Sequence, residues 1–158
     1  EDSTADLTVY ENVMAMVEDP VSNRLLIATD HYAPIDRNTG RVTKRNWSYD
    51  PASGSLTEVK ALPAAGPGNL PAKRNGMWVS YTSTAYDAKQ RFFSVSRCGE
   101  SVADVVLAVH GKDGAPTPIT TASDGTRLPV PSRLFPTARG ILVICQDGSV
   151  YLIVPPRG

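Results

Sequence analysis

Several features are scarce in this 158-residue chain, and each scarcity narrows what it can do. Histidine and cysteine occur twice each. There is no Cys-x-x-Cys, no His-x-x-x-His and no Asp-x-Asp-x-Asp run, so the usual spacings of zinc and calcium sites are missing and no cofactor is expected. Net charge is also lacking: 16 Lys and Arg balance 16 Asp and Glu. A strong field for nucleic acid or an anionic membrane is therefore not expected of the chain as a whole. No apolar run approaches the ~18 residues of a membrane-spanning helix, and no helical periodicity lasts beyond two turns. The chain opens on Glu1-Asp2-Ser3 with no signal-peptide pattern, as expected of a processed product or an excised domain. Cys98 and Cys145 fit either a disulfide or two small buried thiols, and leave the compartment open.

Turn chemistry is abundant, with 12 Gly and 13 Pro, and it suits an all-β fold of short strands. The clearest unit is Trp47-Ser48-Tyr49, the turn Asp50-Pro51-Ala52-Ser53-Gly54, and then Leu56-Thr57-Glu58-Val59. Aromatic residues alternating with polar ones, a turn of Asp, Pro and Gly, and a second alternating run make a β-hairpin. Similar hairpins recur. Arg24–Asp30 follows the turn Asp19–Asn23, Arg91–Arg97 follows Tyr86–Gln90, and Gly140–Gln146 follows Phe135–Arg139. Repetition of strand, tight turn and short apolar strand predicts about three four-stranded antiparallel units. The predicted boundaries are a flexible 1–6, then one β-repeat domain over 7–158 with units at 13–62, 77–122 and 132–154.

Three further expectations follow from the order of segments. Residues 30–46 read as a long connection, and 62–71 as a Pro- and Gly-rich linker. The last unit ends one strand short while Leu7–Tyr10 is an orphan strand, so pairing the two would remove two exposed edges. Trp47, Trp78 and Phe92 are expected in the core.

Four-stranded units of this kind resemble β-propeller blades. The run Trp47–Val59 with Leu62-Pro63 resembles the second half of a kelch blade, where a Tyr-Asp turn leads to an aromatic-bearing strand and a Leu-Pro exit. Leu56 stands where that family usually has Trp. Thr29-Asp30 and Ser96-Arg97 stand where it has a glycine pair. Three blades fall short of the usual about four to eight. The resemblance thus implies a larger ring, two associated copies, or else a different sandwich-like β fold.

Catalytic constellations are hard to assemble from this sequence. His110 precedes Gly111 and reads as a turn residue. His31, beside Asp30, has no partner spacing that argues for a triad. Asn46-Trp47-Ser48 matches a glycosylation sequon. In a propeller, the connections after the second strands gather at one face of the ring. That would collect Asp30, His31, Tyr32, Arg37, Arg41, Arg97, Glu100 and Asp147, a mixed-charge rim suited to protein recognition. The leading expectation is a non-catalytic module that binds a protein partner or itself, for instance as a homodimer, and neither nucleic acid nor membrane. A second is an enzyme or enzyme subunit acting on a glycan or small polar substrate, with Asp30, Glu100 and Asp147 as its carboxylates. A third is a structural part of a larger assembly.

Overall fold

A computed structural model describes residues 10–34, 40–63 and 65–154. The fold is all-β. Strands β1 (Tyr10–Asp19), β2 (Arg24–Pro34), β3 (Gly40–Asp50) and β4 (Ser55–Val59) form a four-stranded antiparallel meander. After a two-residue-per-strand hairpin, β5 (Lys73–Arg74) and β6 (Met77–Trp78), a second meander follows. It contains β7 (Ser80–Tyr86), β8 (Phe92–Arg97), β9 (Val105–His110) and β10 (Pro116–Pro118). The third sheet has three strands, β11 (Pro131–Thr137), β12 (Gly140–Cys145) and β13 (Val150–Ile153). The helices among the described residues are two single 3-10 turns, Pro67–Asn69 and Val102–Asp104. No helix there is long and apolar enough to cross a membrane.

The three sheets stack face to face with the second in the middle. One core lies between sheets one and two and joins Ala15, Val17, Leu26, Leu70, Tyr86 and Phe92. The other lies between sheets two and three and joins Phe93, Val95 and Leu107 to Leu134, Ile141 and Val143. Successive side chains of a strand point to opposite faces, so these two cores divide β8 residue by residue. Phe92, Ser94 and Ser96 face one way, Phe93 and Val95 the other, and all five are buried. A continuously apolar or small-residue run of this kind is what a strand covered on both faces requires.

The sheets also stack in the same sense. The Thr84 hydroxyl on β7 donates to the Met16 carbonyl on β1 at 3.0 Å. Three residues further along β1, Asp19 meets Gln90 of the β7–β8 turn. Strands β1 and β7 therefore run parallel at the inner edge of the stack, and β7 in turn contacts β11, where the Leu134 amide donates to Ser83 Oγ at 2.9 Å.

A single device closes most of the turns. An Asp side chain accepts from the backbone N–H two residues ahead, which holds the chain in a turn before cross-strand bonds take over. Asp19, Asp50, Asp87, Asp113, Asp124 and Asp147 all do this, to Val21, Ala52, Lys89, Ala115, Thr126 and Ser149. Asp87 is the most committed. Fully buried, it also accepts from the Arg91 backbone at 2.9 Å and from Arg91 Nε at 2.6 Å.

Several expectations need correction. The long connection 30–46 is mostly two strands: β2 and β3 stay paired from Leu25↔Tyr49 out to Pro34↔Gly40. Residues 40–44 of β3 are exposed throughout, so this end of the strand carries no apolar alternation to mark it. The Tyr32 ring lies over Gly40, so a Cβ there would push the ring aside. Segment 62–71 is no free linker, because Pro67 and Leu70 are buried and the Tyr86 hydroxyl donates to Ala65 O at 2.8 Å. Tyr10 pairs with Tyr32 in the first sheet and not with the third, while residues 7–9 of the predicted orphan strand lie outside the described residues. Phe92 is core, but Trp78 is 62% exposed on its hairpin and Trp47 lies on the outward face of sheet one.

Truncating either ring of β8 opens a cavity in a core that the middle sheet shares with a neighbour. We expect Phe92→Ala and Phe93→Ala each to cost about 3–5 kcal/mol in denaturant unfolding. Equal losses from opposite faces are the signature of a two-sided sheet; a loss from only one of the two would contradict that arrangement.

Candidate functional site

The described residues of the expected recognition rim lie on sheet one and in the loops of sheets two and three. Arg37 lies outside the described residues. Asp30 is buried at 9% exposure on the face of β2 turned toward sheet two, opposite Lys44. His31, the next residue, faces the other way, with Nδ1 3.8 Å from the Glu11 carboxylate. Tyr32 packs on Gly40, and Arg41 is exposed at the far end of β3. Arg97 is occupied by its own loop: Nε donates to Gly99 O at 2.9 Å, and its guanidinium reaches Glu100 O. Asp147 is likewise held in its turn by the Ser149 amide at 3.0 Å and hydroxyl at 2.6 Å, which lower its pKa. Of the nominated carboxylates, Asp30 is on β2, Glu100 is in the β8–β9 loop and Asp147 is in the β12–β13 turn.

The best-formed polar arrangement is elsewhere. On the β8 face turned away from sheet three, Ser94 sits beside His110, which is the last residue of β9 and not a turn residue, and Ser96 lies two residues further along β8, opposite Val106. His110 is 5% exposed. Its Nδ1 lies 3.1 Å from the Gly114 carbonyl, and its Nε2 lies 2.7 Å from Ser94 Oγ. A carbonyl can only accept, so Nδ1 carries the proton and Nε2 accepts from the serine. Burial, opposed by the bond to Gly114, lowers the His110 pKa and keeps the ring neutral. Phe92 packs against this ring with centroids 5.4 Å apart.

These residues floor a cavity of about 490 Å³ roofed by the β5–β6 hairpin. The hairpin turns at Asn75-Gly76, whose φ values of 52° and 80° are those of a type I′ turn. It is pinned to the sheet by Arg74, which donates to Ser96 Oγ at 3.4 Å and to Asp104 O at 3.1 Å. The Cys98 thiol donates to Arg74 O at 3.4 Å. Cys98 and Cys145 are both free and buried. No family model matches this chain, and no curated protein matches it in sequence. The site therefore stands on its own geometry.

Two further features bear on chemistry. Among the described residues, no three His, Cys, Asp or Glu side chains come together to hold a metal ion. Asn46 of the sequon is half-buried in mid-strand, with its side-chain oxygen against Gly68, which is a poor position for a glycan. Sequence reasoning missed the Ser94–His110 pair because β8 and β9 register is invisible in one dimension. The available signal was Phe-Phe-Ser-Val-Ser itself, which places two serines on one face of an otherwise apolar strand.

The lowered His110 pKa fixes the sign of a pH effect. The unfolded chain binds a proton near the ordinary value of 6.5 while the folded one resists it. Stability is then fully present above pH 6.5 and declines as pH falls toward the lowered folded value. We expect denaturant midpoints to drop between pH 7 and 5, and His110→Gln to flatten that slope. An unchanged slope in the variant would contradict a neutral buried imidazole.

Proposed function

We propose that this chain is an assembly module: a half-ring of propeller-like blades that pairs with a second copy of itself and thereby presents a protein-binding surface. The observation that carries this reading is the apolar character of both outward faces of the stack. On sheet one, cross-strand register puts Met16, Ile27 and Trp47 in one row, and Leu25, Tyr49 and Leu56 in the next. On sheet three the outward rows are Phe135, Leu142 and Leu152, then Arg133, Ile144 and Val150. Met16, Leu56, Phe135 and Val150 are each about half exposed, at 53%, 55%, 49% and 57%. Inside the chain, equivalent faces pack on a neighbouring sheet, so sheet-on-sheet contact is the local rule for this fold.

A second copy fits because the two open faces differ and sit at opposite ends of one stack. Head-to-tail contact between them is heterologous, and it terminates only if the ring closes. Three sheets from each copy would give six, within the usual range for a propeller. At the margins, Arg133 on sheet three would meet Glu18 on sheet one, Glu58 there being already paired with Arg45 at 2.6 Å. The Glu11–Arg45–Glu58 cluster, with Trp47 Nε1 donating to Glu11 at 3.0 Å, would lie at this seam. A kelch relationship is part of the same proposal and is supported by the wording of residues 47–63, which forms β3, its Asp50 turn and β4.

Light scattering tests the pairing. The expected mass is twice the chain's 16.9 kDa, falling to the single-chain value in Ile27→Glu and in Leu152→Glu, each of which charges one face. A wild-type monomer at tens of micromolar would overturn the pairing.

A further inference from the structure

We propose that the cavity under the β5–β6 hairpin is a binding site for a small amphipathic carboxylate, a short apolar tail ending in one negative charge. The size is right: small-molecule sites typically span about 300–1,000 Å³, and this cavity is about 490 Å³. The walls supply the apolar part. Val79, Val106 and Ala108 line it together with Pro116 and Pro118. The backbone of β8 and β9 behind them is already paired within the sheet.

The polar end is set by which hydrogen-bonding capacity is still open. His110 has none left, since Gly114 and Ser94 use both ring nitrogens. Tyr81 gives its proton to Pro71 O at 2.7 Å, and burial pushes its pKa up to about 12, so it stays neutral. Arg74 has five N–H donors and commits two of them, to Ser96 and to Asp104 O. Ser96 Oγ accepts from Arg74 and keeps its own proton to donate. The free capacity is thus donors around a guanidinium, which suits an anionic acceptor. Asp104, the acid that lines the cavity, has its Oδ2 drawn into the 101–104 turn by the Ser101 amide at 3.0 Å. Lys73, the preceding residue, turns to the outer face of the hairpin, with Nζ 4.5 Å from the Trp78 ring, so Arg74 is the cation that faces the floor.

The roof can admit such a ligand. The hairpin pairs only Lys73↔Trp78 and Arg74↔Met77, and it is anchored at its base by the Val79 amide to Ala72 O at 3.0 Å. The cavity is open to solvent at the edge of this small flap, so entry leaves the sheets untouched. A bound carboxylate would cross-link Arg74 to the floor and hold the flap down.

Calorimetric titration of the full chain with octanoate, octanol and octylamine, alongside hydrogen exchange of the Val79 amide, tests this. Saturable octanoate binding is expected, at least about tenfold tighter than octylamine, with slower Val79 exchange. Arg74→Gln should erase the preference for octanoate over octanol. Ala108→Leu, which fills the cavity, should weaken both ligands. No saturable octanoate binding, equal binding of octylamine, or octanoate binding without a change at Val79 would each overturn the proposal. The wild-type comparisons decide the matter even if a variant fails to fold.

Discussion

Two adjacent phenylalanines, both buried, dictate the rest of this molecule. A strand sends Phe92 and Phe93 to opposite faces, so burying both requires a layer on each side of β8. Sheet one and sheet three supply those layers. Fully burying one such side chain is worth about 1.5–3 kcal/mol, and each layer buries several apolar groups around its phenylalanine. The consequence is an open stack. The middle sheet is satisfied on both faces, while each outer sheet has one face covered and one exposed. The assembly proposal and the apolar ends are two descriptions of that one imbalance.

The same two-sided burial explains the polar pair in the centre. Ser94 and Ser96 follow Phe92 on a face that sheet one covers only in part, the remainder being covered by the segment from Leu62 to Val79. Sheet one meets Phe92 and Tyr86 with Ala15 and Val17. Beyond it, the cover is a small hairpin that leaves a cavity. Buried hydroxyls and an imidazole are tolerable there because they satisfy one another and the Gly114 carbonyl. The cavity is thus a by-product of where one covering layer stops and a lighter one begins.

The legible part of the fold was the part written in local chemistry. Asp19 before β2, Asp-Pro-x-x-Gly at 50–54 and Asp87 before β8 each bond two residues ahead, and all three turns are readable from sequence. Three units and their strand order followed from those turns. What the sequence hid depends on register and on partners across space. The charged residues between Asp30 and Asn46 looked like a loop because solvent accepts charge on an exposed strand as readily as on a loop. Arg97 looked available because nothing in sequence says that a side chain will bond its own loop's carbonyls. His110 looked like a turn residue because its two partners, Ser94 and Gly114, are defined by strand pairing and by a loop's path.

Native-state hydrogen exchange tests the two-sided middle sheet most directly. Protection should follow the number of layers covering each strand. The amides of β8 should exchange slowest, with free energies of opening near that of global unfolding, while edge strands β4 and β13 should open far more easily. If β8 exchanged no more slowly than β4, the middle sheet would not be the shared core of the stack, and the account built on Phe92 and Phe93 would be wrong.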